Sequence, residues 1–257
     1  MNIVVLNRSD WLDERKVRLV DRRADHIRSV LRAAVGDSIR VGELNGDLGQ
    51  GRICALDADA VVLEVDLNQP PPPRHRFDIV LALPRPKVLR RLFRTVAEYG
   101  VANLHLINCA RVEKSYWQSP LLAPEKVHEA LLAGMERASD TVAPRVHQHR
   151  RFRPFVEDQL QDLCAGRPCW MAQMGASLPL RDTPAGAAVV MVGPEGGFVP
   201  FELELAQAVI AQPVHLGSRT LSVDTALTTA LAQGGWCCVC CFNGDGNERS
   251  GWLASSC

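Results

Sequence analysis

Ala187-Ala188-Val189-Val190-Met191-Val192-Gly193-Pro194-Glu195-Gly196-Gly197-Phe198 is an apolar run that ends in a glycine-rich turn. The run reads as a buried strand. Three glycines and a proline at its end let bare backbone approach a ligand. Pro200 suits the first position of a following helix, and Glu202 and Glu204 suit the positive end of its dipole. A plain strand-to-helix turn accounts for one or two of the glycines and less well for three. About twenty residues on, Leu216-Gly217-Ser218-Arg219-Thr220-Leu221 closes another strand-like run, 214–216, and leads into a segment that can start a helix.

The same alternation runs upstream. Residues 77–83 read as a buried strand, and 87–99 as a helix with Val88, Leu89, Leu92, Phe93 and Val96 on one face, stopped by Gly100. Residues 104–107 give the next strand, and Pro124 opens a helix to residue 139 with Val127, Ala130, Leu131, Met135 and Ala138 at helical spacing. Segments 155–163, 170–173 and 201–210 continue the pattern, which predicts an α/β domain with a largely parallel sheet. The run Gln69-Pro70-Pro71-Pro72-Pro73-Arg74 continues neither helix nor central strand and reads as a stiff linker. Before it, short β-like runs at 3–6, 38–41, 51–56 and 61–65, with one helix near 25–33, predict a small β-rich barrel. The predicted organisation is therefore 1–69, a linker at 70–74, a larger domain over 75–241, and a loose tail at 242–257.

At 257 residues the chain can bury a sizeable core. Its 47% hydrophobic and 23% charged residues are ordinary for a globular protein, and no apolar stretch reaches the roughly 18 residues of a membrane span. Arg8 and Asp10 interrupt the N-terminus too early for a signal peptide, so a cytoplasmic location is expected. Nine cysteines without a secretion signal point to reduced thiols. The Cys237-Cys238-Val239-Cys240-Cys241 cluster lacks the partner ligands a zinc site requires, and no metal is expected. Net charge is zero, which argues against bulk nucleic-acid coating, but 74–114 holds nine Lys or Arg against three acids, and 145–153 holds four arginines and no acid. Such local basic surface serves a phosphate backbone or is a solvated helix face.

No phosphate-cradling or dinucleotide glycine motif is present. Glu195 faces a cation or, better, holds its loop through backbone amides. Arg219 can form a forked pair with a phosphate or carboxylate, or a surface ion pair. Asp224 precedes a helical segment and is as well placed to cap it as to act in catalysis.

Taken together, these residues resemble the SPOUT methyltransferases, and within them the ribosomal RNA small subunit methyltransferase E family. The combination of 193–198 with Leu216-Gly217-x-Arg219-x-Leu221 and an acid-Thr-Ala segment carries the resemblance. Looser matches are His26-Ile27-Arg28-Ser29-Val30-Leu31-Arg32 and Glu98-Tyr99-Gly100-Val101. The resemblance implies a PUA-like N-terminal β-barrel and a C-terminal domain with a deep trefoil knot, which topology rules alone would disfavour. It implies homodimers that use S-adenosylmethionine to methylate N3 of a uridine in 16S rRNA of the small ribosomal subunit. Carried over by position, Gly193, Glu195, Gly196, Leu216, Gly217, Leu221 and Ser222 would surround the cofactor. Arg85, Lys87, Arg90, Arg111 and Lys114 would meet RNA.

Uridine N3 carries a proton that must be removed or shared before attack on the methyl group. Arg219 is the candidate for stabilising negative charge on the ring, and Asp224 or a water for accepting the proton. The chain departs from the family where members commonly read Leu-Arg-x-Glu-Thr, having Leu221-Ser222-Val223-Asp224-Thr225, and again at Glu136-Arg137-Ala138-Ser139-Asp140. Two alternatives stay open: methylation of another ring nitrogen or a ribose 2′-oxygen, and a non-catalytic RNA-binding assembly factor.

Overall fold

The computed structural model describes residues 1–235. The 237–241 cysteine cluster and the 242–257 stretch lie outside the described residues.

The N-terminal part is a five-stranded sheet. Strands β1 (Val4–Leu6), β2 (Lys16–Leu19), β3 (Ser38–Glu43), β4 (Leu48–Leu56) and β5 (Val61–Gln69) lie in the order β1-β3-β4-β5-β2. Val4 and Leu6 from one edge share a core with Val17 and Leu19 from the other, so the sheet curls upon itself. Strand β2 was not anticipated, although Lys16 and Arg18 point out while Val17 and Leu19 point in, the period of a half-buried strand. The helix expected near 25–33 begins earlier, as α1 (Arg22–His26) running into a π turn over Ile27–Leu31. The Asp21 carboxylate sets that start by accepting from the Arg23 amide at 2.9 Å.

The second sheet is wholly parallel. Its strands are β6 (Phe77–Ala82), β7 (Asn103–Ile107), β8 (Arg145–His149), β9 (Cys169–Ala172), β10 (Ala188–Val192) and β11 (Ala211–Val214), in the order β11-β9-β10-β6-β7-β8. Around it pack α2 (Pro86–Glu98), α3 (Pro124–Ala138), α4 (Phe152–Asp158), α5 (Leu160–Cys164), α6 (Pro200–Val209) and α7 (Val223–Gly234). Strands β6 and β10 are buried at every position, which is why β10 is a continuous apolar run and β6 is apolar but for Asp78, whose carboxylate pairs with Arg167 at 2.7 Å. Strand β8 was missed because Arg, His and Gln dominate it. It joins as an edge strand through backbone pairing with β7. The run expected at 214–216 sits instead at 211–214, where Pro213 is tolerated on the opposite edge. No helix among the described residues is long and apolar enough to cross a membrane.

A polar seam fixes the first sheet to α3. Arg22 donates to both carboxylate oxygens of the buried Glu136, at 3.1 and 2.7 Å, and the Asn2 amide donates to the Glu136 carbonyl at 2.8 Å. Arg74, after the prolines, pairs with the buried Asp140. The segment at 136–140 therefore has a structural employment here.

Three imidazoles share one face of β7 and β8. His105 stacks on His147 with centroids 4.4 Å apart, and its Nδ1 lies 3.1 Å from His149 Nε2. Burial, then the neighbouring imidazoles, push His105 down to about 3, while Asp78 opposes and Arg167 reinforces the shift. His149 is lowered for the same first reason, with Gln159 opposing. These groups fold neutral, so the unfolded chain binds more protons once pH falls below its ordinary value near 6.5, and stability is lost from there toward about 3. Denaturation should show a loss of roughly 2 kcal/mol between pH 7 and 5, reduced in His105→Gln. An equal loss in that variant would exclude the imidazole stack as its source.

Candidate functional site

Strands β6 and β10 are neighbours from which the chain proceeds toward opposite edges, the switch point at which open α/β sheets bind ligands beyond their carboxyl ends. Beside that point, beyond the carboxyl ends of β9, β10 and β11, lies a cavity of about 360 Å³, within the range of roughly 300–1,000 Å³ typical of small-molecule sites. Its walls are the segments that follow three parallel strands: 172–174 after β9, 193–198 after β10, and 216–221 after β11. Val192, Leu203, Val223 and Ala226 supply apolar surface beneath them.

The glycines serve the turn geometry. Gly197 has φ of +73° and Gly217 of +140°, conformations that L side chains rarely adopt. The Gly197 amide donates to the Pro194 carbonyl at 2.8 Å, closing the first turn. Glu195 accepts from the Arg85 amide at 3.4 Å and lies 3.7 Å from the Arg85 Nε. It thereby ties the turn to the positive end of α2. Glu202, in the first turn of α6, is buried and accepts from the Val199 amide at 3.0 Å and the Ala110 amide at 2.6 Å. The dipole role expected for Glu202 is thus joined by a link between two loops.

The second turn is held from three sides. Gln233 on α7 donates to the Leu216 carbonyl at 3.3 Å, and Thr220 donates to the Met174 sulfur at 3.4 Å. At its exit Ser222 is the N-cap of α7, so Asp224 occupies the first turn rather than the cap position itself. The Ser222 hydroxyl donates to Asp224 Oδ1 at 2.5 Å, and Arg91 from α2 pairs with the other carboxylate oxygen. The Ser222 hydrogen bond, aided by Arg91, holds the Asp224 carboxyl below its ordinary range despite desolvation. A carboxylate so stabilised is a weaker base.

Gly193, Glu195, Gly196, Leu216, Gly217, Leu221 and Arg219 all line the cavity, whereas Ser222 and Asp224 do not. Arg219 is exposed and makes no ion pair or hydrogen bond with the described residues. Among the basic candidates, Arg85 meets Glu195, Arg90 lies 3.3 Å from Glu129, and Arg111 donates to the Gly196 carbonyl. Lys87 and Lys114 are exposed and have no such partner among the described residues. Sequence reasoning missed Ala172, Gln173 and Met174, which form one wall, and Arg91. Strand β9 ends at Ala172, directly before Gln173-Met174-Gly175, and that strand end beside a glycine was the available signal. Arg91 left none, because its partner lies 133 positions away.

Three known proteins bear on this site. Ribosomal RNA small subunit methyltransferase E of Treponema pallidum is 28% identical over 242 residues, covering 90% of each chain. The protein of the same name from Synechocystis is 29% identical over 228 residues, covering 86% of this chain and 73% of its own. The crystal structure of ribosomal RNA small subunit methyltransferase E from Neisseria gonorrhoeae, bound to S-adenosyl methionine, shares the fold at a TM-score of 0.71 and 21% identity, covering 90% of this chain and 95% of that one. The family model described as RNA methyltransferase domain matches residues 70–233, which contain the parallel sheet and every wall of the cavity. The chain belongs to the RNA methyltransferase domain family.

Proposed function

We propose that this RNA methyltransferase binds S-adenosylmethionine in the cavity and methylates N3 of a uridine in 16S rRNA of the small ribosomal subunit. One observation carries the reading: both glycine turns and the end of β9 converge on a single cavity at the carboxyl ends of adjacent parallel strands. The relatives' names and the cofactor in the gonococcal structure support it. The residues present suit the cofactor. Leu216, Leu221, Leu203 and Val223 offer apolar surface to a purine ring, and the glycine-bearing turns offer backbone donors and acceptors to its polar edge.

When bound, S-adenosylmethionine supplies an electrophilic methyl group. Arg219, at the cavity wall and free of competing partners among the described residues, stabilises the negative charge that develops on the uracil ring as N3 loses its proton. Asp224 holds Ser222 and Arg91 and so orders the exit of the second turn, and the proton passes to water. Lys87 and Lys114 are the cations available to RNA phosphates. Such contacts position the substrate, while the unstacked base enters the cavity mouth.

In this reading residues 1–69 are a PUA-like module that grips RNA, 70–74 a linker, and the domain from 75 onward a knotted methyltransferase that works as a homodimer. The return of α7 to the start of β6, where His75 Nε2 lies 2.9 Å from the Leu231 carbonyl and Arg76 donates to the Gly234 carbonyl at 2.8 Å, is compatible with the knot. The exposed Phe201 on α6 offers apolar surface for pairing.

Calorimetry should detect S-adenosylmethionine binding to the protein. Digestion of treated small subunits followed by mass spectrometry should show 3-methyluridine. A methyl group on a ribose oxygen or another base would overturn the assigned target atom, and absence of cofactor binding would overturn the enzymatic reading.

A further inference from the structure

Arg111 lies in the loop between β7 and α3, outside the cavity lining, and the family resemblance makes it a candidate RNA contact. Its surroundings indicate another employment. The guanidinium donates through Nη1 to the Gly196 carbonyl, and its stem lies against Gly196, where an added Cβ would stand 2.9 Å from the Arg111 Cδ. The amide on the other side of that peptide, belonging to Gly197, donates to the Pro194 carbonyl at 2.8 Å. Both polar groups of the Gly196-Gly197 peptide are therefore engaged, and its plane is fixed. Glycines flank the peptide on both sides, so without these two bonds it would turn over at little steric cost. The loop that presents Arg111 is itself pinned, because the buried Glu202 carboxylate accepts from the neighbouring Ala110 amide at 2.6 Å and from the Val199 amide at 3.0 Å.

We propose that Arg111 is a positioning residue for the cofactor loop, locking the Gly196-Gly197 peptide in the orientation that shapes the cavity wall, with Glu202 fixing the loop that delivers it. This rests on the reading that the cavity takes S-adenosylmethionine. It separates Arg111 from Lys87 and Lys114, which have no comparable engagement with the described residues. The Gly196→Ala substitution acts on the same contact from the other side, by displacing the Arg111 stem.

The test measures two affinities on the full-length protein: S-adenosylmethionine by calorimetry, and 16S rRNA by filter binding over a salt series. Arg111→Ala should weaken cofactor binding about tenfold, as for loss of a charge-assisted hydrogen bond, and leave the RNA affinity and its salt dependence unchanged. Arg111→Lys should restore most of the cofactor affinity. Gly196→Ala should weaken cofactor binding in the wild-type background and add little in Arg111→Ala, because the two changes break one contact. Unchanged cofactor affinity in Arg111→Ala, with weaker RNA binding and a salt slope reduced by about one, would overturn the proposal in favour of a phosphate contact. Additive effects of the two substitutions would also overturn it. If Arg111→Ala fails to fold, Gly196→Ala in the wild-type background carries the test by itself, and an unchanged cofactor affinity there would overturn the proposal. A wild-type protein that binds no S-adenosylmethionine would remove the functional reading and this inference with it, a result visible before any variant is compared.

Discussion

Arg219→Ala is expected to slow single-turnover methylation of small ribosomal subunits by a factor on the order of 10²–10³, the range found when one pre-placed donor to a developing negative charge is removed. Cofactor affinity should stay within about threefold of wild type, because an interaction made chiefly in the transition state lowers turnover without lowering ground-state binding. The reason lies in where this side chain stands. It lines the cavity, is exposed, and has no ion pair or hydrogen bond with the described residues, unlike Arg85, Arg90, Arg91 and Arg111. Its position within the second turn is maintained by bonds of its neighbours, from Gln233 to Leu216 and from Thr220 to Met174, so truncation should leave the turn intact. Arg219→Lys should recover part of the rate, since it keeps the charge and loses the forked donor geometry. A single-turnover rate unchanged in Arg219→Ala would dismiss the charge-stabilising role.

Gly134→Val should destabilise the protein by about 3 kcal/mol, at the upper end of what overpacking usually costs. Gly134 of α3 lies directly against α2. A Cβ there would lie 2.5 Å from the Arg94 carbonyl oxygen and 2.8 Å from the Ala97 Cβ. A backbone carbonyl within a helix has no rotamer by which to retreat, so the helices must separate. A gain in helix propensity of under about 1 kcal/mol on replacing glycine offsets only part of this. Urea denaturation would measure the loss, and Gly134→Ala should show a smaller one. Activity should suffer too, because α2 carries Arg91, which pairs with Asp224, and starts beside Arg85, which meets Glu195. Wild-type stability in Gly134→Val would mean that the helices part more easily than this contact implies.

The parallel sheet was legible because β10 is apolar throughout and β6 at every position but Asp78, and burial on both faces leaves that imprint. The cavity turns were legible because close backbone approach and left-handed φ select glycine. Strand β8 left no such imprint, since an edge strand is specified by backbone pairing and accepts Arg145, His147 and His149. Strand β11 was displaced for a related reason, as Pro213 reads as a breaker and is harmless at an edge. The basic residues show the deepest limit. Sequence gives Arg85, Arg90, Arg111 and Lys114 the same charge, while their partners range from a carboxylate to a backbone carbonyl to none among the described residues.

By itself, then, the sequence determined the alternation of strands and helices and the two glycine turns, because each is encoded by local periodicity or by a backbone conformation that few residues permit. Tertiary structure alone decided which strand ends meet, that Asp224 pairs with Arg91 outside the cavity lining, and that Arg111 reaches Gly196 across 85 positions of chain. Those are long-range pairings of ordinary residues, and an ordinary arginine carries no mark of its partner until the fold brings the two together.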